Sequence, residues 1–261
     1  MNESRIVTSR AGNILHIELN RPDKRNAADV RMLRELALAY GELDRDPALR
    51  VGLVSAIGDH FTGGLDLADV GQHLGKDGLH YVPEGGLDPW GVQTAPVSKP
   101  VVIAVNGTCL TLGIELILAA DVAVAADDTV LAQLEVARGI LPFGGATLRF
   151  ASRCGWGNAM RWMLSGDRFD ASEALRMGLV QEIAPAGDHV SRARGIAESI
   201  AAAAPLAVQA TLANARRARA LDDDAAAAAL QPELMRLLAT KDATRGFEAF
   251  ATRSVAEFQG D

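Results

Sequence analysis

The clearest hydrophobic pattern in the chain is a short β-branched run followed by an almost wholly apolar segment. Residues 101–105 are all apolar, which indicates a strand buried on both faces. Asn106 and Gly107 follow, and both residues tolerate the positive φ angles of a turn. The apolar run from residue 110 to residue 120 is too long for a strand, so it predicts a helix buried on every side. We expect the other elements to be arranged around this strand, turn and helix.

Shorter patterns on either side predict further strands and helices. Alternating or β-branched runs predict strands at residues 5–8, 14–19, 51–56, 122–125, 130–132 and 179–183. Apolar residues at helical spacing predict helices at residues 28–44, 153–164, 171–177, 188–203, 206–220, 224–239 and 241–258. Asn26 is the expected N-cap of the first of these helices, and Asp170 with Glu173 forms a capping box. Mixed strands and helices of this kind predict an α/β fold.

The segment from residue 70 to residue 96 has no sustained period and is rich in glycine and proline. It is too long for an ordinary connection, so it predicts a mobile, partly helical cover rather than a linker between domains. A spacing of glycines and Lys76 between residues 71 and 76 partly resembles a phosphate loop. Asp77 stands where that loop requires Ser or Thr, so the comparison fails.

The composition excludes several classes of function but does not identify one. The chain has 261 residues, enough for a large core, and a net charge of −7, which argues against binding nucleic acid through general electrostatics. Cys109 and Cys154 lack metal-type spacing and are expected to be reduced and buried; no metal site is predicted. The first residues lack the apolar core of a signal peptide, and no run approaches membrane-spanning length, so a cytoplasmic protein without membrane contact is expected.

A single ionisable residue, Glu115, lies inside the apolar segment. An unpaired carboxylate is costly in such surroundings, so it usually has a partner, a raised pKa or a chemical role. The alternative is a solvated Glu in the first helical turn, where the helix dipole favours a negative charge. The start of the same helix also presents free backbone N–H groups, which suit an anion or an oxyanion.

The segment Val105–Asp121 resembles the signature of the crotonase superfamily, the enoyl-CoA hydratases and isomerases. In that family a strand, an Asn-Gly turn and a Gly-rich helix start precede a catalytic Glu, which corresponds here to Glu115. The resemblance extends over nearly the whole chain. It implies a spiral of repeated ββα units over residues 1–187, with the CoA and acyl site. Residues 188–261 would then form a helical region that covers this site and supports trimerisation.

Two loops before this segment also match the family. Residues 20–27 resemble its NRP…NA loop, which borders the CoA site and would place Lys24 and Arg25 near phosphates. Residues 61–67 match the family's F-x-x-G-x-D-L segment. That match implies that Gly63, Gly64 and Asp66 border the ligand. It also implies that the backbone N–H groups of Leu65 and Leu112 form an oxyanion hole.

Later segments complete the resemblance, with some departures. Residues 135–142 fit the pattern E-x-x-x-G-x-x-P, which makes Glu135 the second catalytic carboxylate; from the residues alone Glu135 could equally be a solvated side chain. Residues 245–250 resemble a terminal E-G-x-x-A-F motif with Arg in place of its first Glu, and Phe250 could meet a neighbouring subunit's CoA or only pack locally. The family's Gly triplet reads Thr111-Leu112-Gly113 here, and Leu65 replaces a smaller residue, which could reshape the pocket.

The resemblance predicts an acyl-CoA hydro-lyase that works as a homotrimer or a dimer of trimers. Coenzyme A would enter as part of the thioester substrate, and no separate cofactor is expected. Tyr81, Val82 and Trp90 are candidates to line the acyl pocket. Two Glu residues favour hydration over the single-acid isomerases of the family. The alternatives are an isomerase, another enolate reaction such as decarboxylation or thioester hydrolysis, and an acyl-CoA-binding protein without turnover. No G-x-S-x-G segment supports a serine hydrolase.

Overall fold

The computed structural model describes residues 4–220 and 223–261, and it contains strands and helices in alternation over most of its length. The strands are β1 (Ile6–Ala11), β2 (Ile14–Leu19), β3 (Val51–Ala56), β4 (Val101–Val105), β5 (Thr108–Leu110), β6 (Val122–Ala126), β7 (Val130–Ala132), β8 (Arg168–Asp170) and β9 (Glu182–Ala184). The helices are α1 (Val30–Arg45), α2 (Leu67–Val70), α3 (Leu112–Ala119), α4 (Ala146–Cys154), α5 (Trp156–Ser165), α6 (Ala171–Arg176), α7 (His189–Ala202), α8 (Pro205–Ala220), α9 (Asp223–Leu238) and α10 (Lys241–Thr252).

Two sheets organise the described chain. The larger has the order β1-β2-β3-β4-β6-β9, with β1 antiparallel to β2 and every other neighbouring pair parallel. The smaller has the order β5-β7-β8, with β5 parallel to β7 and β7 antiparallel to β8. From β4 to β7 the strands alternate between the larger and the smaller sheet, with α3 between β5 and β6. Repeats of two strands followed by a helix, such as β1-β2-α1 and β4-β5-α3, fit the spiral of ββα units that the family resemblance implies.

Apolar side chains fill both faces of the larger sheet. One face packs against α1 and α3 and contains the main core, including Leu33 and Ile117. The other face packs against α7, whose small residues Ala193 and Ala197 are fully buried. Within residues 4–220 and 223–261, no single helix has the length and composition of a membrane span, and α7 and α8 reach them only as a pair bent by 107°.

The central apolar segment is divided differently from the prediction. Residues 101–105 form the expected buried strand β4, but Leu110 ends the short strand β5 instead of beginning a helix. Its N–H donates to Thr62 O at 3.0 Å, and β5 pairs with β7. Thr111 has a φ of +49°, and α3 starts after it at Leu112. The prediction was wrong at this boundary because partners distant in sequence set it.

The first long helix also begins later than predicted. Its N-cap is Asp29, whose Oδ1 accepts a hydrogen bond from Met32 N at 2.8 Å, so α1 starts at Val30 rather than residue 28. Asn26 is therefore not the cap. Its buried side chain instead accepts from Arg21 N and donates to two carbonyl groups of the segment that follows β3.

Most other predicted elements are present with shifted ends. Gly155, at a φ of +83°, divides the predicted helix 153–164 between α4 and α5. The predicted capping box is partly seen, since Asp170 Oδ1 accepts from Glu173 N at 2.8 Å at the start of α6. The strand predicted at 179–183 is only β9, and the last helix ends at Thr252 instead of residue 258. Residues 70–96 have one helical turn and little other regular structure. This agrees with the prediction that the segment is only partly helical.

We expect Asn26→Ala to lower the free energy of unfolding by roughly 2–4 kcal/mol, because it leaves three partly buried backbone groups without their partner. Asn26 also has a φ of +52°, which disfavours Ala. Asn20→Ala is the matched control, because Asn20 makes one exposed hydrogen bond to Ser4 O and should lose less than about 1 kcal/mol. Urea denaturation of both variants measures the difference, and equal losses would contradict a special role for Asn26.

Candidate active site

An enclosed cavity of about 110 Å³ lies between the N-terminal end of α3, the loop after β3 and the cover segment. Its volume is well above the roughly 10–15 Å³ that one water molecule requires. Its walls include both acidic residues singled out in the sequence, Glu115 and Glu135, and both residues of the predicted oxyanion hole, Leu65 and Leu112. Residues separated by up to 70 positions in sequence therefore border one small space.

Glu115 lies in the first turn of α3 and is only 3% exposed, so it is not a solvated side chain. Its Oε1 accepts a hydrogen bond from Ala146 N at 3.0 Å, at the start of α4. The other oxygen, Oε2, packs against Gly144, where a Cβ atom would lie only 2.5 Å away. Glycine at this position therefore leaves room for the carboxylate.

The surroundings of Glu115 favour its protonated form. The pKa of Glu115 is raised to about 7, mainly by burial and in smaller part by the negative charge of Glu135, while the hydrogen bond from Ala146 acts in the opposite direction. A carboxyl group with a pKa near neutrality can both accept and donate a proton at physiological pH.

Glu135 begins a 3₁₀ turn, Glu135–Arg138, and is 5% exposed. Its Oε1 accepts from Gln133 Nε2 at 3.0 Å, and its buried Oε2 has no hydrogen-bond partner in the described chain. Burial raises the pKa of Glu135, and hydrogen bonds from its own backbone and from Gln133 oppose that rise. Because Glu135 lines the cavity, a carboxylate oxygen without a protein partner is suited to a ligand or a water molecule there.

Two backbone N–H groups at the cavity are unpaired within the part of the chain that the structure describes. Leu112 is the first residue of α3, so its N–H has no carbonyl one turn earlier to bond. Leu65 follows the Gly pair, and its N–H likewise makes no hydrogen bond there. Unpaired buried amides are rare, and they suit an oxygen atom that carries negative charge.

The two amides are brought together by pairing between their loops. Thr62 N donates to Thr108 O at 2.9 Å, and Leu110 N donates back to Thr62 O. Gly64 lies against Thr111, where a Cβ atom would be 2.5 Å from the Thr hydroxyl, and its φ of +99° also requires glycine. Thr111 in place of a family glycine therefore packs against Gly64, and the Leu112 amide stays free.

The cover segment is fixed by Asp88, a buried residue that the sequence analysis missed. Its carboxylate accepts from Tyr81 Oη at 2.5 Å and from three backbone N–H groups in the turn that follows it. Trp90 donates from Nε1 to Leu112 O at 3.1 Å, which ties the cover to α3. An Asp-Pro pair ahead of a glycine-containing turn was the available sequence signal. Tyr81 and Trp90 line the cavity, whereas Val82 packs against the core outside its wall.

The polar residues predicted to meet CoA lie at the rim or away from the cavity. Lys24 and Arg25 are exposed on the turn beside Gly63, whose N–H donates to Arg25 O at 2.7 Å. Gly63 itself lines the cavity. Asp66 does not, since its carboxylate pairs with Arg21 Nη1 at 2.8 Å, and that pairing lowers the pKa of Asp66. The Asp66 carboxylate therefore joins two loops by an ion pair and does not line the cavity.

The last predicted site residue, Phe250, is 87% exposed on α10. Other large apolar side chains of α9 and α10 are exposed as well, among them Met235 and Phe247. In the described ranges, no group of three or more His, Cys, Asp or Glu side chains is arranged to hold a metal ion.

A sequence profile of the family described as enoyl-CoA hydratase/isomerase matches residues 9–261 of the chain. Enoyl-CoA hydratase EchA19 of Mycobacterium tuberculosis is 28% identical over 97% of this chain and 96% of its own. The 2,3-dehydroadipyl-CoA hydratase of Escherichia coli is 30% identical over 98% and 99%. A solved structure from Mycobacterium abscessus, of a protein described as a probable enoyl-CoA hydratase/isomerase, is 52% identical, covers 98% and 99% of the two chains and superposes with a TM-score of 0.96. These matches confirm the spiral α/β fold that the resemblance implied, including the C-terminal helices.

We expect Glu115→Gln to stabilise the protein at about pH 8 by up to about 3 kcal/mol and to change its stability little at about pH 4. The folded chain binds the Glu115 proton more tightly than the unfolded chain does, because the pKa rises from 4.5 to about 7. Wild-type stability should therefore be lost as the pH rises through this range, and Gln, which keeps the Ala146 hydrogen bond, removes that loss.

Urea denaturation at both pH values measures the effect. Glu198→Gln is the matched control, because Glu198 is exposed on α7, and it should give the same small change at both pH values. A change for Glu115→Gln that does not depend on pH would contradict the burial of an ionisable group at this position.

Proposed function

The chain belongs to the enoyl-CoA hydratase/isomerase family, and we propose that it reversibly adds water to an α,β-unsaturated acyl-CoA thioester. The names of its relatives support an acyl-CoA hydratase or isomerase activity in general. One observation favours hydration in particular. Two buried carboxylates, Glu115 and Glu135, line the same cavity as two unpaired backbone amides.

The amides provide the electrostatic part of the proposed reaction. When water adds at the β-carbon, electron density moves through the α-carbon onto the thioester oxygen, which gains negative charge. The N–H groups of Leu65 and Leu112 would donate to that oxygen. Neither N–H group has a hydrogen-bond partner in the described chain, so no existing hydrogen bond has to be broken as the charge develops. One such donor typically contributes about 10²–10³ in rate.

The carboxylates provide the proton transfers. The pair is proposed to carry one proton, since burial raises both pKa values and the charge of Glu135 raises that of Glu115 further. The ionised member accepts a proton from water as its oxygen bonds to the β-carbon. The protonated member gives its proton to the α-carbon. The enzyme thus returns to one proton on the pair, and the product has gained one water.

The remainder of the substrate is proposed to extend outward from the cavity. Lys24 and Arg25 are exposed beside Gly63 and could pair with the CoA phosphates, while Tyr81 and Trp90 would border the acyl group. Coenzyme A enters as part of the substrate. Exposed apolar side chains on α9 and α10, including Phe250, support a contact between subunits in a trimer or a dimer of trimers.

We predict that Glu115→Gln and Glu135→Gln each lower the hydration rate at least tenfold, in line with the roughly 10²–10⁴ that general acid–base groups contribute. Loss of the enoyl-thioester absorbance, with a short unsaturated acyl-CoA as substrate, measures the rate. Glu198→Gln is the control and should retain wild-type activity, because it is an exposed carboxylate on α7.

Mass spectrometry of the product distinguishes the reaction classes. A gain of one water supports hydration, and a product of unchanged mass indicates isomerisation, which needs only one acid. If Glu135→Gln has no effect while Glu115→Gln abolishes activity, the hydratase assignment is contradicted. No turnover of any thioester by the wild type would contradict the enzymatic proposal altogether.

A further inference from the structure

A second cavity, of about 160 Å³, shares Trp90 with the cavity that the two carboxylates line. We call it the arginine cavity, because Arg149 of α4 and Arg216 and Arg219 of α8 all line it. Trp90 belongs to the walls of both cavities, so the arginine cavity is a direct neighbour of the proposed reaction site. No acidic side chain is among the residues lining this cavity in the described chain.

Arg149 has a buried hydrogen-bonding group without a partner. Its Nη1 atom makes no hydrogen bond in the described chain, and its Nη2 makes only a long one, 3.4 Å to Gly91 O. Gly145 leaves room for this guanidinium, since a Cβ atom there would lie 2.1 Å from Nη1. Burial lowers the pKa of Arg149, the charges of Arg219 and Arg216 lower it further, and the carboxylates of Asp88 and Glu115 oppose this effect. Three guanidinium groups therefore lie around one cavity, and nearby carboxylates offset part of their charge.

The other two arginines differ in their contacts. Arg216 is held in place, since its Nη1 donates to Val97 O at 2.5 Å and its Nη2 pairs with Asp121 Oδ1 at 3.1 Å. Arg219 lines the cavity from its solvent-exposed side and makes no ion pair with any described residue. One nearby carboxylate, that of Asp88, already accepts four hydrogen bonds within the cover segment.

The rest of the wall is suited to an organic anion. Tyr40 is 2% exposed and lines the cavity, and its hydroxyl makes no hydrogen bond among the described residues. The other lining residues are apolar: Pro89, Trp90, Pro96, Val97, Val101 and Ala119. Guanidinium groups match carboxylate geometry, a phenol adds one neutral donor, and apolar walls accommodate carbon atoms.

We propose that the arginine cavity is a binding site for a carboxylate attached to a short carbon chain. That carboxylate is either the far end of the substrate's acyl group, reaching past Trp90, or a separate small carboxylic acid. The first case rests on the proposed function and makes the cavity a determinant of substrate choice. In both cases the anion supplies the partner that Arg149 and Tyr40 lack.

The first test compares two enoyl-CoA thioesters of equal chain length, one ending in a carboxylate and the other in a carboxamide. The wild type should prefer the carboxylate at least tenfold in kcat/KM. The preference should fall about tenfold in Arg219→Gln, which removes a charged partner, and about threefold in Tyr40→Phe, which removes only a hydroxyl. Arg217→Gln, one position from Arg216 on the same helix and not lining the cavity, should keep the wild-type preference.

The second test measures the Tm of the wild type and of Arg219→Gln with hexanoate and without CoA. Hexanamide and phosphate, each at matched ionic strength, are the control ligands. A rise in Tm with hexanoate alone, absent in Arg219→Gln, supports the site with a separate acid as its ligand. An equal rise with phosphate would contradict the assignment to a carboxylate. No preference between the thioesters together with no effect of hexanoate would overturn the proposal.

These outcomes distinguish carboxylate binding in the arginine cavity from the proposed hydration reaction. If neither thioester gains water, the proposed hydratase function fails, while the thermal measurement still tests the arginine cavity. If both thioesters are hydrated equally and hexanoate has no effect, the hydratase function stands and the arginine cavity does not bind a carboxylate.

Discussion

The burial of one carboxylate, that of Glu115, is the constraint on which the site depends. An ionised carboxyl group in an apolar helix is unfavourable unless its surroundings provide partners or hold its proton. Here Ala146 N, at the N-terminal end of α4, donates a hydrogen bond to the carboxylate, and Gly144 leaves space for it. The unfavourable burial of the charged form raises the pKa of Glu115 to about 7. The glycine pair before α4, the position of that helix and the enclosure by the cover segment all serve this one group.

The unpaired amides depend on a second constraint, the pairing of two loops. The loop after β3 and strand β5 exchange backbone hydrogen bonds, and close contact at Gly64 leaves no room for a side chain. Because this pairing uses the neighbouring amides and carbonyls, the N–H groups of Leu65 and Leu112 remain free at the cavity. The Leu and Thr side chains that depart from the family pattern change the wall but not this backbone arrangement.

Local patterns in the sequence were sufficient for many of the strands and helices and for Glu115, whereas only the family resemblance singled out Glu135. Strand β4 follows from five apolar residues in a row, and Glu115 is conspicuous because it alone is ionisable in an apolar run. The start of α3, the buried role of Asn26 and the four hydrogen bonds of Asp88 could not be predicted, since each depends on partners distant in sequence. The arginine cavity was missed for the same reason, because its cations come from two helices that no local pattern brings together.

The most direct measurement is a crystal structure of the protein with a saturated acyl-CoA, which lacks the double bond needed for addition of water. We expect the thioester oxygen to lie about 2.7–3.1 Å from both Leu65 N and Leu112 N. We also expect a water molecule that contacts Glu115 and Glu135 beside the β-carbon. A thioester oxygen bound away from these amides, or the two carboxylates on different sides of the acyl group without a shared water, would contradict the proposed mechanism.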